Sequence, residues 1–174
     1  MAEFIDVLDE NGNKTGEVLD KDLAHKLHKI HRTAKVWIIN PAGELLFQLR
    51  SGNKDTILNM WDTSAAGHIS AGETVQQGLA RECREELGID ISHEKLIELY
   101  TLKNLDRFHI STSFLTQLDL AIDAYKFNVE EILALKYMSW RTLAKMSEQD
   151  MRDNNIYPYP EFKQLFEYLE KNGF

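Results

Sequence analysis

The chain has 174 residues, 43% of them hydrophobic and 28% charged, with a formal net charge of −8; that is enough chain to bury one core without cross-links. The acidic balance argues against a protein whose main work is gripping nucleic acid, yet allows a small phosphorylated ligand, because divalent cations neutralise ligand and acidic site together. The single cysteine, Cys83, excludes an intrachain disulfide and points to a reducing compartment. The first ten residues carry neither the basic region nor the apolar run of a signal peptide. No apolar stretch reaches the roughly 18 residues a membrane span needs, so a cytoplasmic protein without membrane contact is expected.

Taken in order, Phe4-Ile5-Asp6-Val7-Leu8 reads as a first strand closed by the turn Glu10-Asn11-Gly12-Asn13, with Gly16 to Leu19 as its hairpin partner. Lys21 to Ile30 reads as a short helix or irregular turn, and His31 begins a new strand. Ala34 to Asn40 and Leu45 to Arg50 flank Pro41-Ala42-Gly43-Glu44, a strong hairpin signal. Arg50 to Met60 is a polar loop containing Gly52, Lys54 and Asp55. Trp61 to Gly67 reads as one short strand of mostly small residues, which leaves room for something to approach. Thr74 to Leu87 is a helix stopped by Gly88. Lys95 to Leu102 and Arg107 to Leu118 are strands, Ile132 to Trp140 fits helix or strand, and Arg141 to Ser147 and Tyr159 to Lys171 are closing helices. Residues 1–30 form a strand pair and short helix laid on a main domain of residues 31–174.

The end of the central helix carries the chemistry. Glu82, Glu85 and Glu86 lie at i, i+3 and i+4, which places three carboxylates on one face beside the apolar stripe Val75, Leu79, Cys83 and Leu87. Such crowding of like charge disfavours an isolated helix. The bland alternative is a solvated face. Converging carboxylates suit a hard cation such as Mg²⁺, which can clamp a diphosphate and offset charge on phosphoryl oxygens. Cys83, on the apolar stripe, reads as a small core residue rather than a nucleophile.

The full spacing of Gly67, Glu73, Arg81-Glu82, Glu85-Glu86, Gly88 and Ile89 resembles the Nudix box with no required position missing. Only Cys83 stands where a larger aliphatic residue is commoner. The resemblance implies an α/β (α+β) Nudix fold, a mixed β-sheet sandwiched between helices, here with an N-terminal β-hairpin extension. It implies that Glu82, Glu85, Glu86 and the carbonyl of Gly67 bind Mg²⁺ or Mn²⁺, that Glu85 acts as base toward water, and that Arg81 and Glu73 orient the glutamates. A small-molecule diphosphate is then the substrate, and a homodimer is compatible with the family.

From Asp6 to Ile91 the chain is also similar to the isopentenyl diphosphate isomerase branch of that superfamily. The shared features are the N-terminal strand pair, Lys21 four residues before His25, Arg50 four before Lys54, and Trp61 leading to Gly67-His68. The resemblance implies that Lys21, Arg50 and Lys54 hold the diphosphate, which spaced cations can do. It also implies that His68 touches ligand. Two departures count against isomerisation: Ala66 stands where that branch has a cysteine, and Ser111-Thr112-Ser113 stands where its strand carries a glutamate. His25 and His31 resemble isomerase metal ligands, but their spacing is one residue shorter and the acidic partners are missing, which favours structural or surface roles. The expectation is a hydrolase, with isomerase-like activity or non-catalytic binding of a phosphometabolite as alternatives.

Overall fold

The computed structural model describes residues 2–51 and 59–174. Strands β1 (Phe4–Leu8) and β2 (Lys14–Asp20) form an antiparallel pair, and helix α1 (Lys21–Lys26) follows directly. Asp20 caps α1 by accepting from the backbone N–H groups of Asp22 and Leu23. The hairpin is seated on the main body by backbone: Ala71 N donates to Phe4 O at 2.8 Å, and Leu8 N to Ile30 O at 2.7 Å.

The main sheet has seven strands in the described residues. β3 (His31–Ile39) lies at its centre, with β4 (Glu44–Arg50), β5 (Trp61–Asp62) and β6 (Ala65–His68) following in sequence. After helix α2 (Val75–Leu87) come β7 (Ile97–Asn104), β8 (His109–Gln117) and β9 (Ile132–Ser139). The sheet is mixed: β3 runs parallel to β8 and antiparallel to β4 and β6, while β9 pairs antiparallel with β4. Helices α3 (Trp140–Leu143), α4 (Glu148–Asp153) and α5 (Phe162–Lys171) close the chain.

Alternation along β3 assigns the two faces. Ala34, Val36 and Ile38 point to α2 and share a core with Leu79, Cys83 and Leu87. Trp37 and Ile39 point the other way, into a core with Phe162, Leu165 and Leu169 of α5. The sheet is thus enclosed between helices, and Cys83 is fully buried. Among the described residues no helix is long and apolar enough to cross a membrane.

The structure departs from the sequence reading at three places and settles a fourth that was left open. The expected strand from Trp61 to Gly67 is two strands, because Thr63 and Ser64 turn their hydroxyls onto the backbone. Thr63 Oγ1 donates to Val36 O at 2.8 Å, and Ser64 Oγ donates to Leu46 O at 2.6 Å while accepting from Ile38 N. They tie the strands before and after to different partners, β5 to β4 and β6 to β3. This wedge also splays the predicted hairpin, so β3 and β4 share only the Ile39–Leu45 pair. The 132–140 segment, open between helix and strand, is strand as far as Ser139, since β4 offers it a full ladder, and Trp140 begins α3. At the C-terminal end the helix expected over 141–147 is one turn, α3, and a separate α4 begins after a capping box in which Ser147 and Asp150 satisfy each other's backbone N–H.

Candidate functional site

Helix α2 is fixed at both ends. Thr74 Oγ1 accepts from Gln77 N and Gln77 Oε1 accepts from Thr74 N, a reciprocal capping box. At the other end Gly88 is left-handed, at φ 69°, and a Cβ there would lie 2.6 Å from Lys126 O, so the helix stops where only glycine fits. Its last turns face β6, whose Ala66 and Gly67 pair with Lys35 and Ala34 of β3.

Arg81 ties this arrangement together with all five of its N–H donors. Its Nε donates to Glu73 Oε1 at 3.1 Å, and Nη2 donates to Glu73 Oε2 at 3.1 Å and His68 O at 2.8 Å. Nη1 donates to Glu82 Oε1 at 2.8 Å and Glu85 Oε2 at 3.1 Å. Glu73 in turn accepts from Ser70 N. Partial burial works against charge on both partners, yet the pairing holds the Glu73 carboxyl below the ordinary carboxylate range and the Arg81 guanidinium above its own.

The three glutamates occupy different environments. Glu82 is pressed against Gly67, so closely that a Cβ on Gly67 would lie 2.0 Å from the Glu82 Cδ. Burial, reinforced by the charges of Glu86 and Glu85 and opposed by Arg81, pushes the Glu82 carboxyl up to about 7. Carboxylates crowded in this way are a set a divalent cation stabilises. Glu85 is the exposed member, with 56% side-chain exposure. Glu86 is buried behind β6, and its Oε2 accepts from Ala66 N at 3.1 Å and Gln48 Nε2 at 3.2 Å.

Gly67, Glu82 and Glu85 open into a cavity of about 950 Å³ whose lining also includes Arg50, His68, Arg81 and Glu131. Glu3, Phe4, Lys21 and His25, from β1, α1 and the residues before them, line it as well. Of the residues expected to grip a diphosphate, Lys21 and Arg50 therefore reach one cavity, Lys21 paired with Glu3 and Arg50 with Asp62. Lys54 lies outside the described residues. Sequence reading missed Gln48 and Glu131, neither of which carries a local motif.

The histidines converge. One ring nitrogen each from His25, His31 and His68 lies within 4.8 Å of the others, with His25 Nε2 and His68 Nε2 3.1 Å apart. The shorter spacing does not separate them, because the chain between α1 and β3 turns tightly at His28, whose φ is 54°. Burial, with the neighbouring His31 and His25, lowers His68 to about 3, and burial also lowers His31. Burial thus favours the neutral form of both rings, the form an imidazole ligand takes. The donor set fits a transition-metal ion, whereas the carboxylates fit Mg²⁺ or Mn²⁺.

Comparison with known proteins follows the same lines. A family model described as the NUDIX domain matches residues 29–162. Nudix hydrolase 3 of Arabidopsis thaliana is 30% identical over 183 aligned residues, covering 97% of this chain and 23% of that protein. An isopentenyl-diphosphate Delta-isomerase of Salmonella heidelberg is 36% identical over 91 residues, covering 52% of this chain and 50% of the isomerase. This chain thus spans half or less of either relative's length. A crystal structure from Deinococcus radiodurans shares the fold, with a TM-score of 0.73 at 21% identity over 95% of this chain and 98% of its own.

Proposed function

The chain belongs to the Nudix family, and from that premise we propose that it hydrolyses a diphosphate linkage in a small metabolite, a nucleoside diphosphate derivative or a related diphosphate, with a divalent cation. The observation that carries this reading is the single cavity lined by Gly67, Glu82 and Glu85 together with Arg50 and Lys21. Glu82, Glu85, Glu86 and the Gly67 carbonyl would hold Mg²⁺ or Mn²⁺. When bound, such an ion offsets charge on phosphoryl oxygens and helps order a water.

The remaining work falls to the chain's own groups. Arg50 and Lys21 bind diphosphate oxygens, Lys21 exchanging its Glu3 partner for phosphate. Arg81 and Glu73 fix the carboxylate positions, which matters because a misplacement of about 1 Å can cost about a hundredfold in rate. Glu85, the most exposed of the three glutamates, accepts the proton from water. His25, His31 and His68 would offer a second, softer site for an ion such as Zn²⁺.

Isomerisation of isopentenyl diphosphate is disfavoured by the sheet itself. Ala66 and Ser113, in the strands where the isomerase branch carries its cysteine and glutamate, both pair with Lys35 of β3. The Lys35 side chain is buried in an ion pair with Glu161. Those two positions thus offer no thiol or carboxyl group to move a proton to or from carbon.

A phosphate-release screen over nucleotides, nucleotide sugars, dinucleoside polyphosphates and prenyl diphosphates tests the proposal. Turnover of at least one class with Mg²⁺ or Mn²⁺ is expected, abolished by EDTA and restored by excess cation. Absence of turnover for all classes with both ions would contradict it.

A further inference from the structure

Arg50 is held from behind by a chain of buried polar groups that ends in the C-terminal segment. Its Nη1 donates to Asp62 Oδ2 at 3.1 Å, and Asp62 is only 2% exposed. The other oxygen of Asp62 accepts from Thr63 N at 2.7 Å and from the hydroxyl of Tyr159. Tyr159 belongs to the Tyr157-Pro158-Tyr159-Pro160 break. That segment is docked on β5 by Trp61 N donating to Asn155 O at 2.7 Å and Tyr157 N to Trp61 O at 3.0 Å. Beyond it, Lys35 Nζ lies 4.1 Å from the centre of the Tyr159 ring and 2.9 Å from Glu161 Oε1. Charges alternate along this chain and sum to zero. Rigid partners of this kind can over-determine one geometry of a long, flexible arginine.

We infer that Tyr159 and Asp62 are positioning residues that aim Arg50 at the substrate diphosphate, so that the C-terminal segment tunes an anion site on β4. Asp62 occupies part of the guanidinium fork, and Arg50 still lines the cavity. The carboxylate of Asp62 is fixed only while all its donors are present. Without the Tyr159 hydroxyl it can rotate, and Arg50 follows. Burial, then the adjacent charge of Asp62, drives the Tyr159 hydroxyl well above its ordinary range, so it remains a donor. Sequence alone could not show the link, since Tyr159 and Asp62 are 97 positions apart.

The inference rests on the reading that Arg50 grips a diphosphate, and a double-mutant cycle separates the two. Inorganic pyrophosphate, titrated calorimetrically with Mg²⁺ into the full chain, is the probe. Tyr159→Phe is expected to weaken pyrophosphate binding about tenfold, and Asp62→Asn by at least as much, in the range of coupled neighbours. In an Arg50→Ala background, Tyr159→Phe is expected to change affinity less than about twofold. An equal loss with and without Arg50, or none with it, would overturn the positioning role and leave the hydrolase reading standing. If Arg50→Ala alone leaves affinity unchanged, Arg50 does not grip the diphosphate, and the underlying reading fails with the inference.

Discussion

Gly67→Ala is expected to lower turnover by about a hundredfold or more while leaving the fold within about 1 kcal/mol of the parent. Gly67 sits in β6 without the left-handed backbone of Gly88, so alanine is tolerated by the main chain. What alanine meets is a side chain: its Cβ would lie 2.0 Å from the Glu82 Cδ and 2.3 Å from each carboxylate oxygen. The carboxylate is the far end of a flexible side chain, so it moves and the strand stays. Moving it takes Glu82 off Arg81 and out of register with Glu85. The substitution therefore separates site from scaffold. Kinetics with saturating Mg²⁺, a Mn²⁺ titration and a urea melt on the same preparation check it. Near-parental turnover with weakened folding would show that the close approach of Gly67 and Glu82 serves packing alone.

Lys35→Ala is expected to destabilise the protein by about 3–5 kcal/mol, because it strips the partner from a buried carboxylate. Lys35 and Glu161 have side-chain exposures of 9% and 10%, and Glu161 Oε2 has no hydrogen-bond partner among the described residues. Removing both charges together is the informative control. A Lys35→Met, Glu161→Leu double variant is expected to recover most of the loss, since a well-packed apolar pair often matches a buried ion pair. Urea unfolding of the three proteins decides it. A loss below about 1 kcal/mol for Lys35→Ala would mean that Glu161 finds another partner or takes up a proton at little cost.

How much of this was legible in the sequence follows from how local each feature is. The α2 helix and its stop could be read because Thr74, Gln77 and Gly88 act on residues within one turn. The glutamate array could be read because helical periodicity alone converts spacing into a shared face. The break between β5 and β6 could not, because it depends on which strands receive the Thr63 and Ser64 hydroxyls. The start of α4 is marked by Ser147 and Asp150, a local capping signal that a helix over 141–147 does not account for. For the site, Glu73 and Arg81 are eight positions apart and fall within the box pattern. Gln48 lies 38 positions from Glu86, His25 43 from His68, and Lys35 126 from Glu161. No periodicity reports such pairs, and only the assembled sheet brings them together.

In the proposed reaction the carboxylate cavity delivers water to phosphorus. Reaction in ¹⁸O-enriched water with Mg²⁺, followed by ³¹P NMR of the products from whichever diphosphate is turned over, tests it most directly. One ¹⁸O bonded to a phosphorus-bearing product per cleavage is expected, with no deuterium entering the carbon positions of isopentenyl diphosphate in a parallel D₂O reaction. Unlabelled phosphorus in the products, or carbon-bound deuterium with the diphosphate intact, would contradict it.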